Sequence, residues 1–149
     1  MNKSGKLMRI TAVNSAKDSP KPAVLLDFDD TAAEQNVAEL LLTQFGDPTW
    51  QDVRSRFRAG EINLMEYQEI AFRNIQADRA AMRDHVRNNA NLRPYFNDLR
   101  IFCQENSIPF AIVSQGLDFY IEALLEKEGH TQVPVYAVNT SFSNEGISY

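Results

Sequence analysis

The feature that most constrains this chain is an apolar run ending in acids, Ala23-Val24-Leu25-Leu26-Asp27-Phe28-Asp29-Asp30-Thr31. Ala23 to Phe28 is continuously apolar apart from Asp27, the pattern of a parallel strand covered on both faces. Residues i and i+2 of a strand point to one side, so Asp27 and Asp29 aim together beyond the strand's carboxyl end. Two carboxylates so placed repel unless a cation or a proton lies between them. Asp also forms turns at strand ends, but three acids in four residues after so apolar a run favour chemistry over a simple turn.

The rest of the chain supplies the frame. Asp18-Ser19-Pro20-Lys21-Pro22 reads as a linker closing a polar tail over 1–22, in which Leu7 to Val13 could form a short edge strand. Between 34 and 90 the pattern is helical throughout. Val37, Leu40, Leu41 and Phe45 mark a first helix. Thr49 is placed to cap a second, from Trp50 to about Ala59-Gly60. Asn63 and Glu66 have capping-box spacing for a third, and a fourth runs from about Asp78 to Val86. Beyond Asn91-Leu92-Arg93-Pro94, a helix carries Phe96, Leu99, Phe102 and Cys103. Ile108 to Ser114 is a second buried strand, and Gln115-Gly116 turns into a helix with Leu117, Ile121, Leu124 and Leu125 on one face. Val133 to Val138 is a third strand, and the segment around Asn144-Glu145-Gly146 is a hairpin.

Strand, helical insertion, helix, strand, helix, strand is the order of an α/β doubly wound, Rossmann-like parallel sheet with a helical insertion after its first strand. Ligands in such sheets bind at the carboxyl ends of the strands, where Asp27, Asp29 and Ser114 all fall. Those parts suit phosphoryl transfer. A carboxylate can attack phosphorus and a second can move the proton. A hard divalent cation can join the first carboxylate to a phosphate oxygen. The Ser114 hydroxyl and the backbone N–H groups at Gln115-Gly116, expected to open a helix, can hold phosphate.

Asp27-Phe28-Asp29-Asp30-Thr31 resembles the first motif of the haloacid dehalogenase-like superfamily, and Ile112-Val113-Ser114-Gln115-Gly116 resembles its second. The helical insertion is similar to the cap of the phosphoserine-phosphatase-like branch. Ser114-Gln115-Gly116 departs from the commoner Ser-Gly-Gly by one residue, and Gly116-Leu117-Asp118-Phe119 is close to the Gly-Met-Asp-Phe of methylthiopentenyl-phosphate phosphatases. The resemblance implies a core over 23–32 and 91–149 and a helical cap over 33–90. It implies Asp27 as nucleophile and Asp29 as general acid/base. Mg²⁺ would be held by the Asp27 side chain and the Asp29 backbone carbonyl. Thr31 would support the loop, and Ser114, Gln115 and Gly116 would bind phosphate. Asp30 stands where glycine is commoner. Gln35 and Asn36 could touch substrate from the cap base. The substrate class implied is a small phosphorylated metabolite.

The superfamily also uses a lysine and further acids. After Ser114 the sole lysine is Lys127, about 15 Å along a helix from the site and expected to be a solvated cation. Asp118 reads as an acid at a helix start, and Glu122, Glu126 and Glu128 as exposed helix face. We therefore expect a C-terminally incomplete core, little activity from these residues alone, and a first strand left at a sheet edge that invites pairing with a second copy. A non-catalytic module that binds phosphate or a partner is the alternative.

The remaining features are ordinary. A formal net charge of −5 gives no general attraction to nucleic acid or anionic membrane. No apolar run reaches the length of a membrane span, and no signal segment is visible, so a cytoplasmic protein is expected. The lone Cys103 is expected in the core, and His85 and His130 on the surface. Arg54, Arg56 and Arg58 could face an anionic substrate, although a solvated helix face is the common outcome.

Overall fold

The computed structural model describes residues 21–73, 75, 77–143 and 146–149. The expected tail strand over Leu7 to Val13 and the hairpin residues Asn144 and Glu145 lie outside the described residues.

Three parallel strands form the sheet in the order β1 (Val24–Leu26), β2 (Phe110–Leu117), β3 (Val135–Val138). Leu26 pairs with Ile112 and Ile112 with Val135, so consecutive strands are neighbours. Between β1 and β2 come α1 (Val37–Phe45), α2 (Trp50–Arg58), α3 (Leu64–Phe72), α4 (Arg79–Asn89) and α5 (Phe96–Glu105). Helix α6 (Asp118–Lys127) joins β2 to β3, and an antiparallel hairpin of β4 (Ser141–Ser143) and β5 (Gly146–Ser148) follows. This is the expected α/β architecture, a parallel sheet with a helical insertion after the first strand.

Local chemistry sets the element ends. The Asn63 side chain accepts from Glu66 N–H at 3.0 Å, and Glu66 accepts from Asn63 N–H at 2.8 Å, completing the capping box of α3. Thr49 does not cap α2. Its backbone is already helical, and Asp47 Oδ1 accepts both Thr49 N–H and the Thr49 hydroxyl. The acid preceding Pro48 outcompetes the threonine for that end. Helix α1 begins at Val37 rather than near Glu34, because Asn36 caps it through Glu39 N–H at 2.9 Å and the preceding residues pair with the returning chain. Ala33 bridges Leu92 there, and Glu34 N–H donates to Asn91 O at 2.9 Å.

The core has two sources. Helix α6 buries Phe119, Tyr120, Ile121, Ala123, Leu124 and Leu125, with Phe96 of α5 set edge-on against Phe110 at 5.8 Å. Within the insertion, Val37, Leu41, Leu42, Phe72, Met82 and Val86 are also buried. Helix α4 packs along α6, where Arg83 and Arg87 both pair with Glu126. The insertion is thus bolted to the core on one side. Cys103 is buried, as expected. His130 is buried too, contrary to the surface reading. It lies against Phe96 at 5.2 Å, and its burial pushes the imidazole below its ordinary pKa.

One face of the sheet differs from the expected interior strand. Leu25, Val113 and Tyr136 share that face by register and are 69%, 43% and 65% exposed. Ile112, on the opposite face under the helices, is fully buried. Consecutive right-handed crossovers to adjacent strands put α5 and α6 on the same side. That leaves the other side without a covering helix among the described residues, and β1 at the sheet edge.

Candidate active site

Strand pairing ends at Leu26, and Phe28–Ala32 forms a wide turn closed by Ala32 N–H to Asp27 O at 3.2 Å and Ala33 N–H to Phe28 O at 2.9 Å. Phe28 is fully buried and anchors the turn. Asp30 has φ +57°, in the left-handed region that Asp tolerates better than most residues. This is the conformational reason a glycine would also fit there. Its carboxylate accepts from Asn36 Nδ2 at 3.2 Å. Arg93 fastens the turn from outside, with Nε to Thr31 O at 2.9 Å and Nη2 to Asp30 O at 2.8 Å.

Asp27 and Asp29 occupy different environments. Asp27 is exposed at the mouth of the cleft and accepts from the Thr31 hydroxyl at 3.1 Å. Asp29 lies deeper, where Oδ1 accepts Val37 N–H at 2.7 Å and Oδ2 accepts the Tyr120 hydroxyl at 2.8 Å. Burial pushes the Asp29 carboxyl above the usual range. The Tyr120 bond and the Val37 N–H oppose that shift, and the Asp27 charge adds to it. Tyr120 is driven well up in turn, chiefly by its own burial. The sequence reading missed Tyr120. The only hint was a hydroxyl on an otherwise apolar helix face.

The second strand reaches the same place. Strand β2 stays extended through Leu117, and α6 starts only at Asp118. The N–H groups of Gln115 and Gly116 therefore precede the helix rather than opening it. Two contacts hold that geometry: Gly116 N–H donates to Ser114 Oγ at 3.0 Å, and Gln68 Nε2 donates to Gln115 O at 2.7 Å. A Cβ on Gly116 would sit 2.1 Å from the Tyr120 hydroxyl and 2.8 Å from Asp29 Oδ2. Glycine is required there so that Asp29, Tyr120 and β2 can meet.

Asp27, Asp29, Asn36, Ser114, Gln115 and Gly116 line one cleft of about 440 Å³ between sheet and insertion. Thr31 borders it through Asp27. Gln35 faces elsewhere: its Oε1 accepts Asn91 N–H at 3.0 Å, across the paired strands where the insertion leaves the core. Lys127 is not a solvated cation. Its ammonium donates to Ala90 O at 2.8 Å and Asn91 Oδ1 at 3.1 Å, at that same junction. Asp118 accepts Thr140 N–H and the Thr140 hydroxyl, tying α6 to the segment after β3. Among the described residues, no three His, Cys, Asp or Glu side chains are grouped to hold a metal. Acidic oxygen donors lining the cleft include Asp27 and Asp29. They suit a hard cation that keeps waters and shares a phosphate.

No family profile matches the chain. Among curated proteins, it is 28% identical over 131 residues to a 2-hydroxy-3-keto-5-methylthiopentenyl-1-phosphate phosphatase of Brevibacillus brevis, covering 87% of this chain and 59% of that protein. To the protein of the same name from Exiguobacterium sibiricum it is 31% identical over 126 residues, covering 83% and 57%. The chain thus spans somewhat over half the length of these relatives. Among solved structures, a HAD family hydrolase from Salmonella enterica serovar Typhi superposes with a TM-score of 0.66 at 14% identity, over 87% of this chain and 45% of that one. A phospho-aspartyl intermediate analogue of phosphoserine phosphatase gives 0.60 at 13% identity, over 87% and 64%. No helix among the described residues is long and apolar enough to cross a membrane. With the acidic turn, the helical insertion and the serine-bearing second strand on one cleft, the chain is similar in sequence to these phosphatases and shares its fold with HAD family hydrolases.

Proposed function

We propose that these residues form the nucleophile, acid–base and phosphate-binding part of a Mg²⁺-dependent phosphomonoesterase. It would act on a small, phosphorylated cytoplasmic metabolite through an aspartyl-phosphate. The observation that carries this reading is the contrast between two carboxylates in one cleft. Asp27 is exposed and oriented by Thr31, whereas Asp29 is half-buried with its pKa raised. An open carboxylate suits a nucleophile, and a raised carboxyl suits a general acid.

In the first step an Asp27 oxygen bonds to phosphorus. The phosphorus–oxygen bond to the leaving alcohol breaks, and that alcohol oxygen takes the Asp29 proton. In the second step Asp29, now a carboxylate, takes a proton from water as the water oxygen attacks phosphorus. Orthophosphate leaves and the Asp27 carboxylate is restored. Ser114 donates its hydroxyl to a phosphate oxygen throughout. Mg²⁺, held by the Asp27 carboxylate and the Asp29 carbonyl, would supply neutralisation of the phosphate charge. The division into a core of 23–32 and 91–149 and a cap of 33–90 belongs to this reading, supported by the paired crossing at Ala33 and Leu92. The names of the relatives support a phosphorylated keto–enol metabolite as the substrate class.

We also propose that the 149-residue chain alone turns over slowly. Lys127, which the sequence leaves as the candidate for the superfamily's lysine, is committed to Ala90 and Asn91. An aryl phosphate assayed with Mg²⁺ tests both parts. Slow release that disappears in Asp27→Asn supports them, and robust turnover abolished by the same change would sink the claim of weak activity. Turnover unaffected by Asp27→Asn would remove Asp27 as nucleophile. Pairing of two copies along the β1 edge, unpaired among the described residues, is part of the reading. A monomer by sedimentation at high concentration would dispose of it.

A further inference from the structure

The cleft is larger than a phosphate requires, and its wall on the insertion side carries polar groups that the phosphoryl chemistry does not use. Helical spacing puts Arg54 and Arg58 on one face of α2, and both line the cleft. Arg56, two residues from each, turns away and pairs with Glu61 at 3.6 Å. Arg54 pairs through a terminal nitrogen with Glu39 of α1, which leaves its Nε buried without a partner among the described residues. Arg58 makes no ion pair among the described residues.

Tyr67 of α3 is the most telling of these groups. It is only 7% exposed, lines the cleft, and its hydroxyl has no hydrogen-bond partner among the described residues. Buried hydroxyls nearly always have one. The Tyr67 ring stacks on Phe57 with centroids 5.3 Å apart and planes at 13°, so the hydroxyl cannot swing to another acceptor. Two buried donors and one unpaired cation therefore converge on one region of the cleft. Glu39 cancels a single positive charge, leaving a net positive wall opposite Asp27 and Ser114.

We propose that Tyr67, Arg54 and Arg58 form a second subsite, which binds an oxygen acceptor carrying negative charge on the alcohol portion of the phosphomonoester. The inference rests on the phosphatase reading and adds the substrate class: a two-ended anion, phosphate at Ser114 and an oxyanion or enolate at the α2–α3 wall. Phe57, which also lines the cleft, offers apolar surface to the carbon skeleton between them. The subsite would raise specificity, because an analogue lacking the acceptor leaves these buried donors unpaired.

The test compares two phosphomonoesters that differ at one group, 3-phosphoglycerate with a carboxylate and glycerol 3-phosphate with a hydroxymethyl. Binding to the full chain with Mg²⁺ is measured by calorimetry, with orthophosphate as a third ligand. The account expects 3-phosphoglycerate to bind roughly tenfold more tightly than glycerol 3-phosphate, the preference to fall to within about twofold in Arg58→Gln, and Arg56→Gln to retain it. Tyr67→Phe should weaken the preference about threefold or more, without lowering the melting temperature of the ligand-free protein. Equal binding of the two esters by the parent, a preference that survives Arg58→Gln, or a marked loss of ligand-free stability in Tyr67→Phe would each overturn the subsite. Orthophosphate separates the two levels. If it binds and the esters are not distinguished, the subsite alone fails. If orthophosphate does not bind the folded parent, the phosphatase reading fails and this inference with it.

Discussion

The Tyr120 hydroxyl donates to Asp29 Oδ2 at 2.8 Å, and Gly116 is the residue that lets them meet. Strand β1's turn, strand β2 and helix α6 are locked together at that point. Tyr120→Phe removes a hydrogen bond to a half-buried carboxylate and should cost about 1–3 kcal/mol at neutral pH. Gly116→Ala should cost at least as much, because its Cβ meets the hydroxyl first. Combined, the two changes should cost less than their sum, since the hydroxyl is the atom in conflict. Strict additivity in denaturant titrations would contradict the coupling.

Asp29 makes a pH prediction. Its folded pKa lies above the ordinary value of 3.8, chiefly through burial. The folded state therefore favours the protonated form. The associated stability is fully present below 3.8 and is lost as pH rises through the folded value. At pH 7 the half-buried charge is a net cost. Asp29→Asn keeps an acceptor for Val37 and a polar group for Tyr120, so it should raise the melting temperature at pH 7. The gain should shrink toward pH 3.8. A variant less stable than the parent at pH 7 would show that the carboxylate's hydrogen bonds outweigh its burial.

How much of this was legible beforehand differs by element. The order of strands and helices followed from hydrophobic period, and the capping box at Asn63 from spacing alone. Asp27, Asp29 and Ser114 fell together because strand carboxyl ends converge in parallel sheets. Tyr120, Arg93 and Lys127 were not legible. Each acts through a contact distant in sequence, 91 residues for Tyr120 with Asp29 and 62 for Arg93 with Thr31, which no local pattern encodes. Leu25 looked interior because apolarity records what a strand is built to pack against, and no described helix covers its face. Arg54 and Arg58 separated from Arg56 only once the rotation of α2 was known.

Asp30 sits at φ +57°. Asp30→Gly should be close to neutral, because it relieves the left-handed strain while losing the Asn36 bond. Asp30→Val, β-branched and without an acceptor, should destabilise by roughly 1–2 kcal/mol. Thermal unfolding of the pair checks this, and equal stability for both would show that the turn does not impose its backbone angle.

The α4–α6 clasp predicts acid sensitivity. Glu126 is held below its ordinary value of 4.5 by its bond to Arg83, with Arg87 adding to the effect. Its contribution is present above 4.5 and is lost as pH falls through the folded value. Glu126→Gln should cost at most about 1 kcal/mol, since the pair is largely solvated. Arg83→Ala should cost more, because it also removes the bond to Phe119 O at 2.9 Å and the packing of its stem. A salt titration should weaken the Glu126 effect. No salt dependence would argue against an ion-pair origin.

The central claim is that Asp27 is a phosphoryl acceptor whose surroundings stabilise an aspartyl-phosphate. Beryllium fluoride with Mg²⁺ mimics that group on a carboxylate, and ¹⁹F NMR reports its binding directly, without requiring turnover. The account predicts a bound resonance on the folded chain that is absent without Mg²⁺ and absent in Asp27→Asn. A folded parent chain that gives no bound resonance at saturating Mg²⁺, or one that persists in Asp27→Asn, would contradict it.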